Sequence, residues 1–90
     1  MSNNKRKRHR ARVAEALEQR RRAQSWCEQR GWYLYIHDAG AQWSVHHHGN
    51  ITDWWPSTGK LVHNKQWDRA GKAMNWDAVA EAFASMEEQP

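Results

Sequence analysis

The sequence predicts a single small α+β domain: an N-terminal helix, an antiparallel meander of three or four strands, and a C-terminal helix. Three observations support this fold class. A chain of 90 residues forms one hydrophobic core at most. Residues 32–63 combine aromatic and β-branched residues with regularly placed turn signals, which is typical of strands. The flanking stretches 11–30 and 76–87 are rich in residues that favour helices.

The N-terminal part divides into a basic arm and a helix. Residues 1–10 contain no apolar residue after Met1, so we expect them to be disordered, with the domain itself at 11–87. The stretch 11–30 contains neither glycine nor proline, and Gly31 is a typical stop signal. Within this helix Arg22 and Trp26 are four residues apart, and the guanidinium is expected to cover the indole.

The central part reads as a series of short strands joined by tight turns. Gly40 is expected to take a positive φ in the first hairpin loop, and Gly49-Asn50 to form the second turn. Pro56–Gly59 predicts a type I turn. The expected strands are 32–37, 42–48, 51–55 and, as a short fourth strand, 60–63.

The C-terminal part begins with an irregular loop at 64–74, after which Asn75 is a suitable N-cap for the last helix. The helix places one apolar face on the sheet. Alternation in the strands and helical spacing together predict a core. Its expected members are Trp32, Leu34, Ile36, Trp43, Val45, Trp76 and Phe83.

The charge of this protein is unevenly distributed. The net charge is +4, but residues 1–31 hold ten lysines and arginines against three glutamates, a net of +7. Residues 32–90 hold four basic residues against seven acids. A basic N-terminal region on a nearly neutral body is typical of a chain that binds a polyanion.

The favoured hypothesis is a non-enzymatic nucleic-acid-binding protein. Clustered lysines and arginines neutralise phosphates and release counterions, and this release supplies most non-specific affinity. Seven tryptophans in a chain this short exceed the needs of one core, so Trp54 or Trp67 is expected to stack on bases. The candidate contacts are Lys5, Arg6, Lys7, Arg8, Arg10, Arg12, Arg20, Arg21, Arg22, Trp54, Lys60, Lys65, Trp67, Arg69 and Lys72.

Two short motifs carry resemblances to known proteins. The stretch QRRRAQSW at 19–26 is similar to the arginine-rich motif of lambdoid antitermination proteins, which implies an arginine-dense helix that grips an RNA hairpin. The stretch from Trp54 to Lys60, WWPSTGK, resembles the (F/Y/W)(Y/W)PxTGK signature of small uncharacterised proteins encoded by phages and prophages. That resemblance implies a hairpin turn between strands and a phage-type accessory protein.

Several chemistries are not expected from this sequence. Thr58-Gly59-Lys60 lacks the glycine and the hydroxyl residue that a phosphate-binding P-loop needs. Of His46, His47 and His48, at most two share a strand face, so no metal and no cofactor is expected, although His37 or His63 could add a third imidazole. No serine or cysteine stands in a nucleophile context, and we expect no enzyme.

The expected location is the cytoplasm, in the bacterial host if the chain is phage-encoded. No apolar run reaches the length of a membrane span, and the basic start is not followed by the apolar stretch of a secretory signal. The single cysteine, Cys27, cannot form an internal disulfide, which fits a reducing compartment.

An alternative function belongs to another class. The chain could be a phage-encoded inhibitor of a host protein complex, such as an anti-defence or anti-CRISPR protein, because arginine and tryptophan also dominate protein interfaces. A nuclease-treated pull-down from host lysate discriminates between the two hypotheses. The choice between DNA and RNA, any sequence preference, and a possible homodimer are open at the level of sequence.

Overall fold

The computed structural model describes residues 2–87, with side chains for residues 6–86. It has the predicted α+β order, with an N-terminal helical region, a five-stranded antiparallel sheet and a C-terminal helix. The strands lie in the sheet in the order in which they occur along the chain. The helices and strands are α1 (Ser2–Glu18), α2 (Arg20–Glu28), β1 (Tyr33–His37), β2 (Gln42–His47), β3 (Asn50–Trp55), β4 (Lys60–His63), β5 (Gly71–Lys72) and α3 (Trp76–Glu87).

The N-terminal region differs from its prediction in two respects. Helix α1 begins at Ser2, whereas a disordered arm at 1–10 was predicted; Met1 lies outside the described residues. Lysine and arginine are themselves good helix formers, and residues 2–18 contain no glycine or proline to stop the helix. The predicted single helix is also broken at Gln19, whose backbone leaves the helical range (φ −91°, ψ 2°). The side-chain oxygen Oε1 of Gln19 accepts a hydrogen bond from the Trp76 amide at 3.0 Å, so the break is held by α3.

The turns agree with the predictions except for one register. Gly40 has φ +100°, as expected, and a Cβ atom there would lie 2.9 Å from the Leu17 side chain of α1. The second turn is formed by His48 and Gly49, with φ +49° and +77°, and not by Gly49-Asn50. Two consecutive positive φ angles form the type I′ turn that suits a two-residue hairpin, and Asn50 is thereby freed to pair with His47.

The turn after β3 has the backbone expected of a proline–glycine turn. The amide groups of Thr58 and Gly59 both donate to the carbonyl oxygen of Trp55, at 3.2 and 2.8 Å. Gly59 has φ +81°, a conformation that favours glycine. The predicted fourth strand, β4, follows directly and pairs with β3 through Trp55 and Lys60.

The predicted loop at 64–74 is more ordered than its sequence indicates. It contains a short 3-10 turn at Trp67–Arg69 and the two-residue strand β5, which pairs with β4. A two-residue strand has no periodicity to detect. Its pairing therefore follows from the proximity of β4 and not from its own residues.

The core lies between one face of the sheet and the helices. The predicted core residues Trp32, Trp43, Val45, Trp76 and Phe83 are buried, and Leu34 and Ile36 pack against them in part. Asn75 caps α3 as predicted: its Oδ1 accepts from the Ala78 amide at 2.9 Å.

One predicted contact on α2 is replaced by two others. Arg30, and not Arg22, lies over the Trp26 ring, 3.6 Å from its centroid. Arg22 instead donates to Asp77 at 3.0 Å, which ties α2 to the first turn of α3. Sequence spacing alone could not reveal this partner, which is 55 residues away.

The opposite face of the sheet, here called the outer face, is open to solvent at its tyrosines. Tyr33 and Tyr35 alternate with the core residues of β1 and are 67% and 48% exposed.

Among residues 2–87, no helix combines the length and the apolar character that crossing a membrane requires.

Candidate nucleic-acid interface

The basic residues of α1 are distributed around the helix and not along one side of it. Successive residues are about 100° apart, so Arg6 and Arg10 share one side while Lys7 and Arg8 point elsewhere. All four are exposed. The side chain of Lys5 lies outside the described residues. The first half of α1 is therefore a cationic rod that presents charge in every direction.

Two of the predicted phosphate contacts are engaged within the protein. Arg12 Nη1 donates to the carbonyl oxygen of Ser57 at 3.1 Å, which anchors α1 to the turn after β3. Arg22 pairs with Asp77. In the described part of the chain, no acidic partner is found for the six remaining exposed cations of the two helices, which are Arg6, Lys7, Arg8, Arg10, Arg20 and Arg21.

A second cationic cluster lies on the outer face at the β4–β5 edge. Lys60 is the cross-strand partner of both Trp55 and Lys72, and cross-strand partners share a face. Lys60 Nζ lies 5.3 Å from the centroid of the Trp67 ring, which packs on Trp55 at 5.3 Å. Trp67 is 51% exposed, so an indole that packs on Trp55 and has Lys60 beside it faces solvent, with Lys72 next to Lys60.

The prediction for Trp54 as a stacking contact is wrong. Trp54 is 1% exposed and meets Trp43 edge-to-face at 5.2 Å between ring centroids. Its Nε1 donates to the carbonyl oxygen of Ala73 at 2.7 Å. Trp54 and Trp55 are adjacent in one strand and point to opposite faces, and it is Trp55 that lies on the outer face. Lys65 and Arg69 are exposed in the loop beside it.

An aromatic group at the other edge of the outer face was not predicted from the sequence. Tyr35 stacks nearly parallel to His37, with 6.5 Å between centroids, and meets His46 edge-on at 4.9 Å. Tyr33 pairs with His46 across the strands. The signal was available: the alternation that assigns Trp32, Leu34 and Ile36 to the core assigns the intervening residues to the opposite face.

A buried polar row crosses the middle of the outer face. Asp53, 3% exposed, accepts hydrogen bonds at Oδ1 from Ser44 Oγ at 2.7 Å and from Gln42 Nε2 at 3.2 Å. These two hydrogen bonds keep the Asp53 carboxylate buried against the neighbouring strand. The negative charge therefore does not project among the lysines and tyrosines on either side.

Two histidines lie on the core side of the sheet and share one hydroxyl. Thr52 Oγ1 is 2.8 Å from His47 Nε2 and 2.8 Å from His63 Nδ1. Phe83 of α3 packs against both imidazoles, at 5.0 and 6.1 Å between centroids. Burial lowers the pKa of both rings from the ordinary value of 6.5, and for His47 the neighbouring charges of His63, His48 and His46 lower it further.

Within residues 2–87, no group of three or more metal-ligating side chains is suitably placed for an ion.

The lowered pKa values of His47 and His63 predict that the protein loses stability as the pH falls below about 6.5. The folded pKa of each ring lies below the unfolded value, so the unfolded chain binds more protons in this range and is favoured by acid. Urea unfolding at pH 7.5 and pH 5 should show a lower free energy of unfolding at pH 5. A His47→Gln and His63→Asn variant, which keeps polar partners for Thr52, should show a smaller difference. A pH dependence equal in both proteins would contradict the assignment.

Cys27 does not have the properties of a reactive thiol. Burial raises its pKa to about 11, an effect that the nearby charge of Arg30 only partly opposes. The thiolate is the reactive form of cysteine. The Cys27 side chain packs in the core.

Comparison of the chain with protein-family models, with curated proteins and with solved structures finds no match.

Proposed function

We propose that this chain is a small, non-enzymatic nucleic-acid-binding protein of the phage accessory type that acts in the bacterial cytoplasm. The observation that carries the proposal is the set of six exposed arginines and lysines on α1 and α2 without an acidic partner in the described chain. Because no acidic side chain of the described chain neutralises these cations, their positive charges are available to bind phosphates. The proposal assigns binding as the activity and includes no catalytic step.

Two structural features place the basic half of α1 on the same side of the protein as Lys60 and Trp67 of the outer face. Arg12 and Leu17 anchor α1 beside the turns at one end of the sheet, and the cationic half of the helix continues from there. Lys60 and Trp67 lie on the outer face next to the turn that Arg12 contacts. Phosphates on the rod and a base on Trp67 are thus within the reach of one bound strand.

The proposal is tested by the salt dependence of binding. Fluorescence anisotropy of labelled oligonucleotides, titrated with protein at 50 and 200 mM salt, should show affinity that falls steeply with salt. A variant with Arg20→Gln and Arg21→Gln should bind duplex DNA with a logarithmic salt slope shallower by about 2, because each phosphate contact contributes about 0.9.

The matched control lowers the net charge by the same amount at another place. Ser85→Glu with Met86→Glu adds two negative charges on the last turn of α3, where both residues are exposed. This variant should keep the wild-type salt slope. Equal effects of the two variants, or no salt-sensitive binding to duplex or single-stranded DNA or RNA, would overturn the proposal. The absence of binding would direct the search to a host protein complex, the inhibitor hypothesis.

A further inference from the structure

The outer face of the sheet presents aromatic rings at one edge and lysines at the other. Tyr33 and Tyr35 of β1 are both exposed, although neither is needed for the core cluster. The β4–β5 edge carries the supported Trp67 with Lys60 and Lys72. We propose that this face binds single-stranded nucleic acid, with Tyr33, Tyr35 and Trp67 stacking on bases and Lys60 and Lys72 contacting phosphates. This inference rests on the proposed function and assigns it a polymer and a second surface.

The spacing of the tyrosines favours a single strand over a duplex. Residues two apart on a strand are about 6.6 Å apart, whereas nucleotides in a duplex are spaced about 3.4 Å along each strand. Two bases on these two rings must therefore be unstacked from each other. In a duplex the faces of the bases are covered by their neighbours, but in a single strand they are available to aromatic side chains.

The charges of the outer face complement a phosphate backbone. Lys60 and Lys72 are neighbours across β4 and β5 and supply two positive charges. The acid at the centre, Asp53, is buried and hydrogen-bonded. Strands are about 4.8 Å apart, so roughly 14 Å separates β1 from β4, a distance that a few nucleotides can span.

A small depression adjoins the tyrosine edge. It has a volume of about 260 Å³ and is lined by Tyr33, His46, His48 and Ile51, among others. Clefts for drug-sized ligands are larger, about 300–1,000 Å³. The depression is smaller than such clefts and extends from Tyr33 towards the β2–β3 turn.

The test compares three labelled probes with two variants that differ only in their rings. The probes are oligothymidylate DNA and oligouridylate RNA of about ten nucleotides, and a duplex DNA of the same length. Tyr33→Val with Tyr35→Val keeps a strong β-propensity but removes both rings, whereas Tyr33→Phe with Tyr35→Phe keeps them. The valine variant should bind the single strands at least about 30-fold more weakly, since two stacked bases contribute about 1–3 kcal/mol each and about 1.4 kcal/mol corresponds to a factor of ten. The phenylalanine variant should stay within about 3-fold of wild type.

The two edges of the face have different signatures. Ring removal should leave the salt slope unchanged, because no phosphate contact is lost. Lys60→Gln with Lys72→Gln should make the slope for single strands shallower by about 1.4, since each of the two contacts contributes about 0.7. The DNA and RNA arms separate the two possible polymers.

A measurement on the wild-type chain does not depend on how the variants fold. The sequence contains two tyrosines, both on the outer face, so NMR of tyrosine-labelled protein reports on this face alone. Their ring signals should shift on addition of the single-stranded probes. Salt-sensitive binding with equal affinity for duplex and single strands, unshifted tyrosine signals and no effect of valine would overturn this inference and leave the proposed function intact. No salt-sensitive binding to any probe would overturn both.

Discussion

Replacing Trp54 with alanine is expected to lower the free energy of unfolding by about 3–5 kcal/mol, the range for a buried tryptophan. Trp54 is fully enclosed by Trp43, Trp76 and the segment at Ala73. The substitution removes these contacts and leaves the carbonyl oxygen of Ala73 without its indole donor. A domain of this size has a total stability of about 5–13 kcal/mol, so a large share of it would be lost.

The control for this prediction is Trp67, the other tryptophan that the sequence nominated for stacking. Trp67→Ala removes a half-exposed ring and should lower stability by about 1 kcal/mol or less. Urea unfolding followed by far-UV circular dichroism measures both variants. Similar stabilities for the two would contradict the burial of Trp54. In binding experiments the order should be reversed: Trp67→Ala weakens binding in a chain that remains folded.

Neutralising the cationic half of α1 is expected to have the largest effect on binding. The variant replaces Arg6, Lys7, Arg8 and Arg10 with glutamine, which has a similar helix propensity. If all six exposed cations of α1 and α2 contact phosphates, the logarithmic salt slope for duplex DNA is about −5, and removal of four should reduce it to about −2. Affinity of the wild type should fall about 10³-fold between 50 and 200 mM salt, and that of the variant only about 10-fold to 20-fold.

A single arginine that is already paired provides the contrast. Arg22→Gln removes a cation that donates to Asp77 and should change the salt slope by less than one contact. Anisotropy titrations at four or more salt concentrations give both slopes. An unchanged slope in the four-residue variant would show that α1 is not the phosphate-binding element, whatever the affinity of the rest of the chain.

Local signals predicted most of the fold correctly. The Asn75 cap, the positive φ of Gly40 and the proline–glycine turn after Trp55 each depend on a few neighbouring residues. Alternation placed Trp43 and Val45 in the core in the same way. These features can be predicted from sequence because each depends on a backbone conformation or a side-chain period within one short stretch of chain.

The candidate site was predictable in charge but not in geometry. The basic residues of α1 and α2 are evident from composition, and the exposure of Trp67 follows from its place in a polar loop. The inward side of Trp54 depends on its pairing with Trp43 and Leu61. Alternation in β1 places Tyr33 and Tyr35 opposite the core, but their exposure and their neighbours His37 and His46 follow from the assembled sheet.

By itself, the sequence determined the α+β order of this protein, the loop at Gly40, the turn after Trp55 and the charge asymmetry. Only the tertiary structure decided the break at Gln19, the partner of Arg22, the pairing of β5 and the hydroxyl shared by His47 and His63. Each of these joins residues distant along the chain, and its stability comes from a hydrogen bond or a packed surface that exists only after the sheet and helices meet. Local propensity cannot predict these hydrogen bonds and this strand pairing, because the geometry of the assembled core brings the partner residues together.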